Sequence, residues 1–132
     1  MFTSATIEQL YKELESGQWP IFSGVSTHQN SCILTLFIPE KLHYFTGHFP
    51  NRPVLPGIVQ VHWATQLTQK VFRLNHFHSL RNLKFHNMVM PDTTLKLSLE
   101  HSADADSVKF RYYHDDSTYS SGVLQFRPTA SD

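Results

Sequence analysis

The sequence predicts an α+β fold in which one long helix, Gly57–Asn75, is followed by antiparallel strands. Three observations carry this reading. A helical apolar period begins directly after Pro56 and runs to Asn75. Leu95/Leu97/Leu99 and Val108/Phe110/Tyr112 alternate with polar residues, as strands with one covered face do. Polar stretches at 104–106 and His114–Ser117 supply the turns between them.

Taken in order, residues 6–16 read as a short helix, with Ile7, Leu10, Tyr11 and Leu14 at helical spacing and Gly17 as its stop. Pro20–Val25 reads as a short strand. Ser31–Pro39 is apolar at both alternating sets of positions, so it is expected to be covered on both faces. Residues 40–56 hold Gly47, Pro50, Pro53 and Pro56, which rules out a regular helix or an interior strand. The same stretch carries Tyr44, Phe45, Phe49, Val54 and Leu55, which suits a packed, shaped loop better than a slack connector. On the long helix, Val61, Ala64, Leu67 (or Thr68), Val71 and Leu74 form an apolar stripe beside a polar stripe of His62, Gln66, Lys70 and Arg73. Further strands are expected at Leu80–His86, Thr94–His101, Ser107–His114 and Tyr119–Arg127.

The 132 residues suit one domain, 1–132, around one core. A content of 40% hydrophobic and 13% aromatic residues excludes a disordered chain. Eleven Lys and Arg balance eleven Asp and Glu, which argues against nucleic-acid binding through bulk charge. The balance is uneven along the chain: residues 1–40 carry net −3, 41–96 net +6 and 97–132 net −3. A basic middle points to a local anionic partner. The single Cys32 allows neither an internal disulfide nor a cysteine zinc site. The N-terminal residues lack the apolar core of a secretory signal, and no membrane span is present, so a cytoplasmic setting is expected.

The segment Tyr44-Phe45-Thr46-Gly47-His48-Phe49-Pro50-Asn51-Arg52-Pro53-Val54-Leu55-Pro56-Gly57 is the most specific in the chain. It resembles the GHFP-x-x-P-x-x-PG signature of the FabZ/FabA-type 3-hydroxyacyl-acyl carrier protein dehydratases, which have the hotdog fold. LRNLKFHNMVMPDTTLKL and SSGVLQF are similar to later strands of that family, so the resemblance covers most of residues 31–127. The small ApeI-like, aryl-polyene branch is the nearest in kind.

Removing water from a 3-hydroxyacyl thioester needs a base for the α-proton, donors for the thioester oxygen and a proton for the departing hydroxide. His48 is the natural base, because an imidazole titrates near pH of about 6.5. Gly57, at a helix start, offers a backbone N–H with the helix dipole behind it. The resemblance assigns those two roles to His48 and Gly57, and puts Phe49 and Val54 at the substrate. It also expects a carboxylate fourteen residues after the histidine, where this chain has His62, and a glutamine one turn later, present as Gln66. An imidazolium can donate a proton as a carboxylic acid does, so His62 is the expected acid, sharing a water or hydroxyl with Gln66.

The resemblance further implies a dimer with the site at the interface, no metal or redox cofactor, and a substrate carried on phosphopantetheine by an acyl carrier protein. Such carriers are acidic, which gives the basic middle a purpose. Arg52, Arg73 and Lys84, together with Lys70 and Arg81, are candidates for that contact. A hotdog thioesterase and a non-catalytic partner subunit are the alternatives. The other histidines form no metal-binding pattern, Cys32 reads as a packing residue, and Trp63, Phe72 and Phe85 read as core or tunnel wall.

Overall fold

The computed structural model describes residues 17–45 and 53–127. The expected helix over 6–16, and His48, Phe49 and Arg52, lie outside the described residues. In chain order the elements are β1 (Ile21–His28), β2 (Ser31–Ile38), α1 (Gly57–Phe72), β3 (Phe77–Phe85), β4 (Thr93–Ser102), β5 (Ser107–His114) and β6 (Ser117–Phe126). Short 3-10 turns lie at His43–Phe45 and Ala103–Ala105. The six strands make one sheet in the order β1-β2-β4-β5-β6-β3, every neighbouring pair antiparallel. This is the hotdog arrangement, a helix against one face of a curved antiparallel sheet.

The inner face is built by alternation. Cys32, Leu34, Leu36 and Ile38 of β2, Leu95, Leu97 and Leu99 of β4, and Val108, Phe110 and Tyr112 of β5 are all buried. They meet Val59, Trp63, Ala64 and Leu67 of α1, where Trp63 supplies bulk and Ala64 lets the helix lie close. One inner row crosses all six strands through successive pairs: Val25, Leu34, Leu97, Tyr112, Ser120 and Phe85.

Several expectations need correction. The helix stops at Phe72, because Arg73 turns into the left-handed region at φ 55 and breaks the hydrogen-bond ladder. Its buried face centres on Gln60, Trp63, Ala64 and Leu67, while Val61 and Val71 are half-buried at its margin. The β2 strand is fully covered on one face only; Ile33, Thr35 and Phe37 remain half-buried on the other. The β1 strand runs three residues beyond Val25, and β3 begins three before Leu80. Phe85 is 51% exposed on its edge strand, so it is not a core residue. Cys32 is buried, and its thiol is pushed up to about 12 by desolvation, which leaves it a packing group.

Candidate active site at the start of the helix

Residues Pro53–Pro56 bring the chain to α1 along a fixed path. The Leu55 N–H donates to the Val89 carbonyl at 2.8 Å, and the Leu55 side chain is buried. Pro56 caps the helix with φ −59 and ψ 143, and its carbonyl accepts from the Val59 and Gln60 N–H groups at 3.1 and 3.3 Å. The N–H groups of Gly57 and Ile58 therefore precede the first helical acceptor, at the positive end of the helix dipole. No acidic side chain occupies that first turn.

Gly57 is required for space, not for backbone freedom. A Cβ placed there would lie 2.5 Å from Cζ and 2.7 Å from Cε1 of Phe85. The Phe85 ring comes from β3 and lies over the first turn of α1. The Val54 side chain is half-buried in the segment before it.

His62 is exposed on α1, and its ring centroid is 5.9 Å from that of Trp19, tilted by 40°. Trp19 in turn stacks on Trp63 at 6.1 Å, and Tyr44 meets Trp63 edge-on. The Trp63 indole N–H donates to the Gln18 carbonyl at 2.9 Å, which fixes this aromatic shelf under His62. Gln66 follows one helical turn later, half-buried, so both side chains leave α1 on one face.

Three residues missed by sequence reasoning converge just inside this turn. Gln60, 3% exposed, donates from Nε2 to the Leu55 carbonyl at 3.3 Å. Its Oε1 accepts from the Ser120 hydroxyl at 2.7 Å, and its backbone carbonyl accepts from the Tyr112 hydroxyl at 2.8 Å. Complete burial pushes the Tyr112 hydroxyl pKa well above its ordinary value, so it stays a donor. The available signal was a lone amide inside the apolar run Ile58-Val59-Gln60-Val61, one turn ahead of Ala64.

The structure separates the residues expected to meet an acidic carrier. Arg73 follows the far end of α1, whose 16 residues span about 24 Å. Lys84 adjoins Phe85 at the near end and faces the outer side of the sheet. There it lines a cleft of about 380 Å³ with Asn82, Glu100, Lys109, Arg111 and Ser121. A bulge in β3 between Arg81 and Lys84, with Asn82 at φ 56, sets that orientation. The Arg111 guanidinium lies over the Tyr113 ring, 4.5 Å from its centroid, with Nε donating to the Thr118 hydroxyl at 2.8 Å. Arg81 and Lys96 belong to the same outer face by register. Among the described residues, no three His, Cys, Asp or Glu side chains converge on a point that would hold a metal. No helix among them is long and apolar enough to cross a membrane.

Residues 24–123 match the family described as ApeI-like, ApeI dehydratase. The chain belongs to the ApeI-like dehydratase family. Its structure superposes on the dehydratase heterocomplex ApeI:P from Xenorhabdus doucetiae with a TM-score of 0.76 and 30% identity, covering 82% of this chain and 98% of that one. An uncharacterized protein from Erwinia carotovora subsp. atroseptica superposes with a TM-score of 0.71 and 29% identity, over 83% of this chain and 96% of that one. A 3-hydroxyacyl-[acyl-carrier-protein] dehydratase FabZ from Clostridium kluyveri is 35% identical over 71 residues, 48% of this chain and 49% of the relative. The chain spans about half the length of the curated relatives it matches. The family match includes β3–β5, most of β6 and the whole of α1, so the first helical turn and Phe85 lie within it.

Proposed function

We propose that this chain is a 3-hydroxyacyl-[acyl carrier protein] dehydratase, which eliminates water from a 3-hydroxyacyl thioester to give the trans-2-enoyl product in fatty acid or aryl-polyene synthesis. The observation that carries the reading is the first turn of α1, where a glycine at the helix start has an aromatic ring in the space a Cβ would take, within a dehydratase family. In the proposed step, neutral His48 takes the proton from the carbon next to the thioester carbonyl. The electron pair moves toward the thioester oxygen, where the Gly57 N–H and the helix dipole stabilise the growing charge. The C3–O bond then breaks, and His62 delivers the proton that makes the hydroxide leave as water. Gln66 holds the leaving oxygen beside His62, while Phe49 and Val54 line the acyl chain. The elimination is redox-neutral, and phosphopantetheine arrives with the substrate. Incubation with a 3-hydroxyacyl carrier protein tests the reading by mass: loss of one water supports it. Release of the free carrier thiol would point to hydrolysis instead, and an unchanged mass to a binding subunit.

The acidic carrier docks on the outer sheet face in this reading, where Lys84, Lys109 and Arg111 line a cleft with Glu100, and Arg81 and Lys96 share the face by register. Lys109→Glu with Arg111→Glu should raise KM for the carrier-bound substrate and leave KM for a short pantetheine thioester unchanged. Equal KM values for both proteins on carrier-bound substrate would remove this docking face.

The β3 edge is the surface for assembly. Phe77, Leu83 and Phe85 are exposed along it, and Met88 and Met90 follow. A second hotdog subunit pairing there would extend the sheet and cover these side chains. The match to a heterocomplex favours a different subunit as the partner. The mass in solution of the chain alone, and co-expressed with a candidate partner, decides between a homodimer and a mixed pair.

A further inference from the structure

The polar trio behind the first helical turn does more than fill the core. An amide buried as deeply as Gln60 loses its water, and an apolar side chain of the same size would pack there without needing partners. The fold instead spends two hydrogen bonds on this side chain and a third on its backbone carbonyl. The two hydroxyls that grip it come from Tyr112 and Ser120, which are direct cross-strand partners. Ser120 is also paired with Phe85, the residue whose ring lies against Gly57. Three adjacent members of one cross-sheet row therefore hold the same helical turn.

Gln60 acts on both peptide planes that flank Pro56. Its side-chain amide binds the carbonyl of the Leu55–Pro56 plane at 3.3 Å. Its backbone N–H, with that of Val59, binds the carbonyl of the Pro56–Gly57 plane. The N–H of Gly57 belongs to that second plane and points away from its carbonyl. With both carbonyls tied and the proline ring fixing φ between them, the direction of the Gly57 N–H is set by Gln60.

We propose that Gln60, held by Ser120 and Tyr112, is a positioning residue that aims the Gly57 N–H at the thioester oxygen. The proposal rests on the dehydratase reading above and adds a residue that never touches the substrate. Loss of an oxyanion donor costs about 10²–10³ in kcat, so a donor that is kept but poorly aimed should cost less, about 10–100-fold.

The test uses Gln60→Met, which keeps the length and removes the amide. It also uses the pair Ser120→Thr and Ser120→Val, which differ from each other only in a hydroxyl. With a 3-hydroxyacyl pantetheine thioester, Gln60→Met should lower kcat by about 10–100-fold with KM nearly unchanged. Ser120→Thr should keep several-fold more kcat than Ser120→Val, which isolates the hydroxyl from any effect of added bulk. A saturated acyl thioester, labelled at its carbonyl carbon, should show an infrared stretch lowered on the wild-type protein and shifted back toward the free value on Gln60→Met. A drop in kcat/KM carried by KM alone, equal rates for the Ser120 pair, or an unshifted stretch would overturn the proposal. If Gln60→Met does not fold, the Ser120 pair decides. If the wild type removes no water, the dehydratase reading falls, and the infrared shift still reports whether Gln60 aims the donor.

Discussion

The two ends of α1 are built to different standards. At the start, the Leu55 N–H, the Leu55 carbonyl and the Pro56 carbonyl each have a partner inside the protein, and Phe85 closes the space beside Gly57. At the exit, the chain turns through two non-glycine residues in the left-handed region, Arg73 at φ 55 and His76 at φ 62. Asn75 and His76 lie exposed, and the His76 carbonyl is held by the Arg127 N–H at 3.0 Å. One end is tied at every peptide plane, and the other is a turn that tolerates strain. The difference fits the proposed place of the chemistry, because a backbone donor is useful only where its direction is fixed.

Substitutions at each end should separate these standards. His48→Ala should cost about 10²–10⁴-fold in turnover with an unchanged melting temperature. A folded variant that keeps near-native turnover would remove His48 as the base. Gly57→Ala should lower kcat by about 10²-fold, since the new Cβ must displace the Phe85 ring. Shortening that ring with Phe85→Leu in the same chain should recover part of the loss, and a double-mutant cycle measures the coupling. His62→Ala should lose about 10-fold or more, with His62→Glu retaining part of the rate as an alternative proton donor. At the exit, His76→Gly should raise stability by about 0.5–1 kcal/mol, net of the added freedom of the unfolded chain, by relieving the left-handed backbone. Thermal unfolding reads that gain, and turnover should not move. The smallest effect is at buried Cys32, which, with its thiol at about 12, should resist iodoacetamide at pH 8 until the protein is unfolded.

Much of the fold was legible because its signals are local. The β5 strand matches Ser107–His114 at both ends, since its alternation is strict and its flanks are turn residues. The start of α1 follows from Pro56 and the apolar period behind it. The reading failed where tertiary contacts override local pattern. The start of β3 was hidden because Phe77-His78-Ser79 has no alternation, and its strand character comes from pairing with β6. The buried face of α1 was misjudged because Gln60 counts as polar in any periodic pattern, yet sits in the core once Ser120 and the Leu55 carbonyl supply its side-chain partners. The residue types of the candidate site were visible in the motif and its spacing. Which basic residues share a face was not, because Arg73 and Lys84 lie in one basic stretch of sequence and at opposite ends of the helix.

The outer face of the sheet has one more consequence. The chain carries no formal net charge at pH 7, yet among the described residues Arg81, Lys84, Lys96, Lys109 and Arg111 share that face, with Glu100 among them. Asp104 and Asp116 stand in the connections that flank β5, and Asp115 lines a small cleft with Lys96 and Tyr113. The described residues therefore present a basic face on a chain without net charge, and a charged surface will orient that face toward itself. At its isoelectric point, such a protein should still adhere to a sulfonate column by one side and leave it as salt rises.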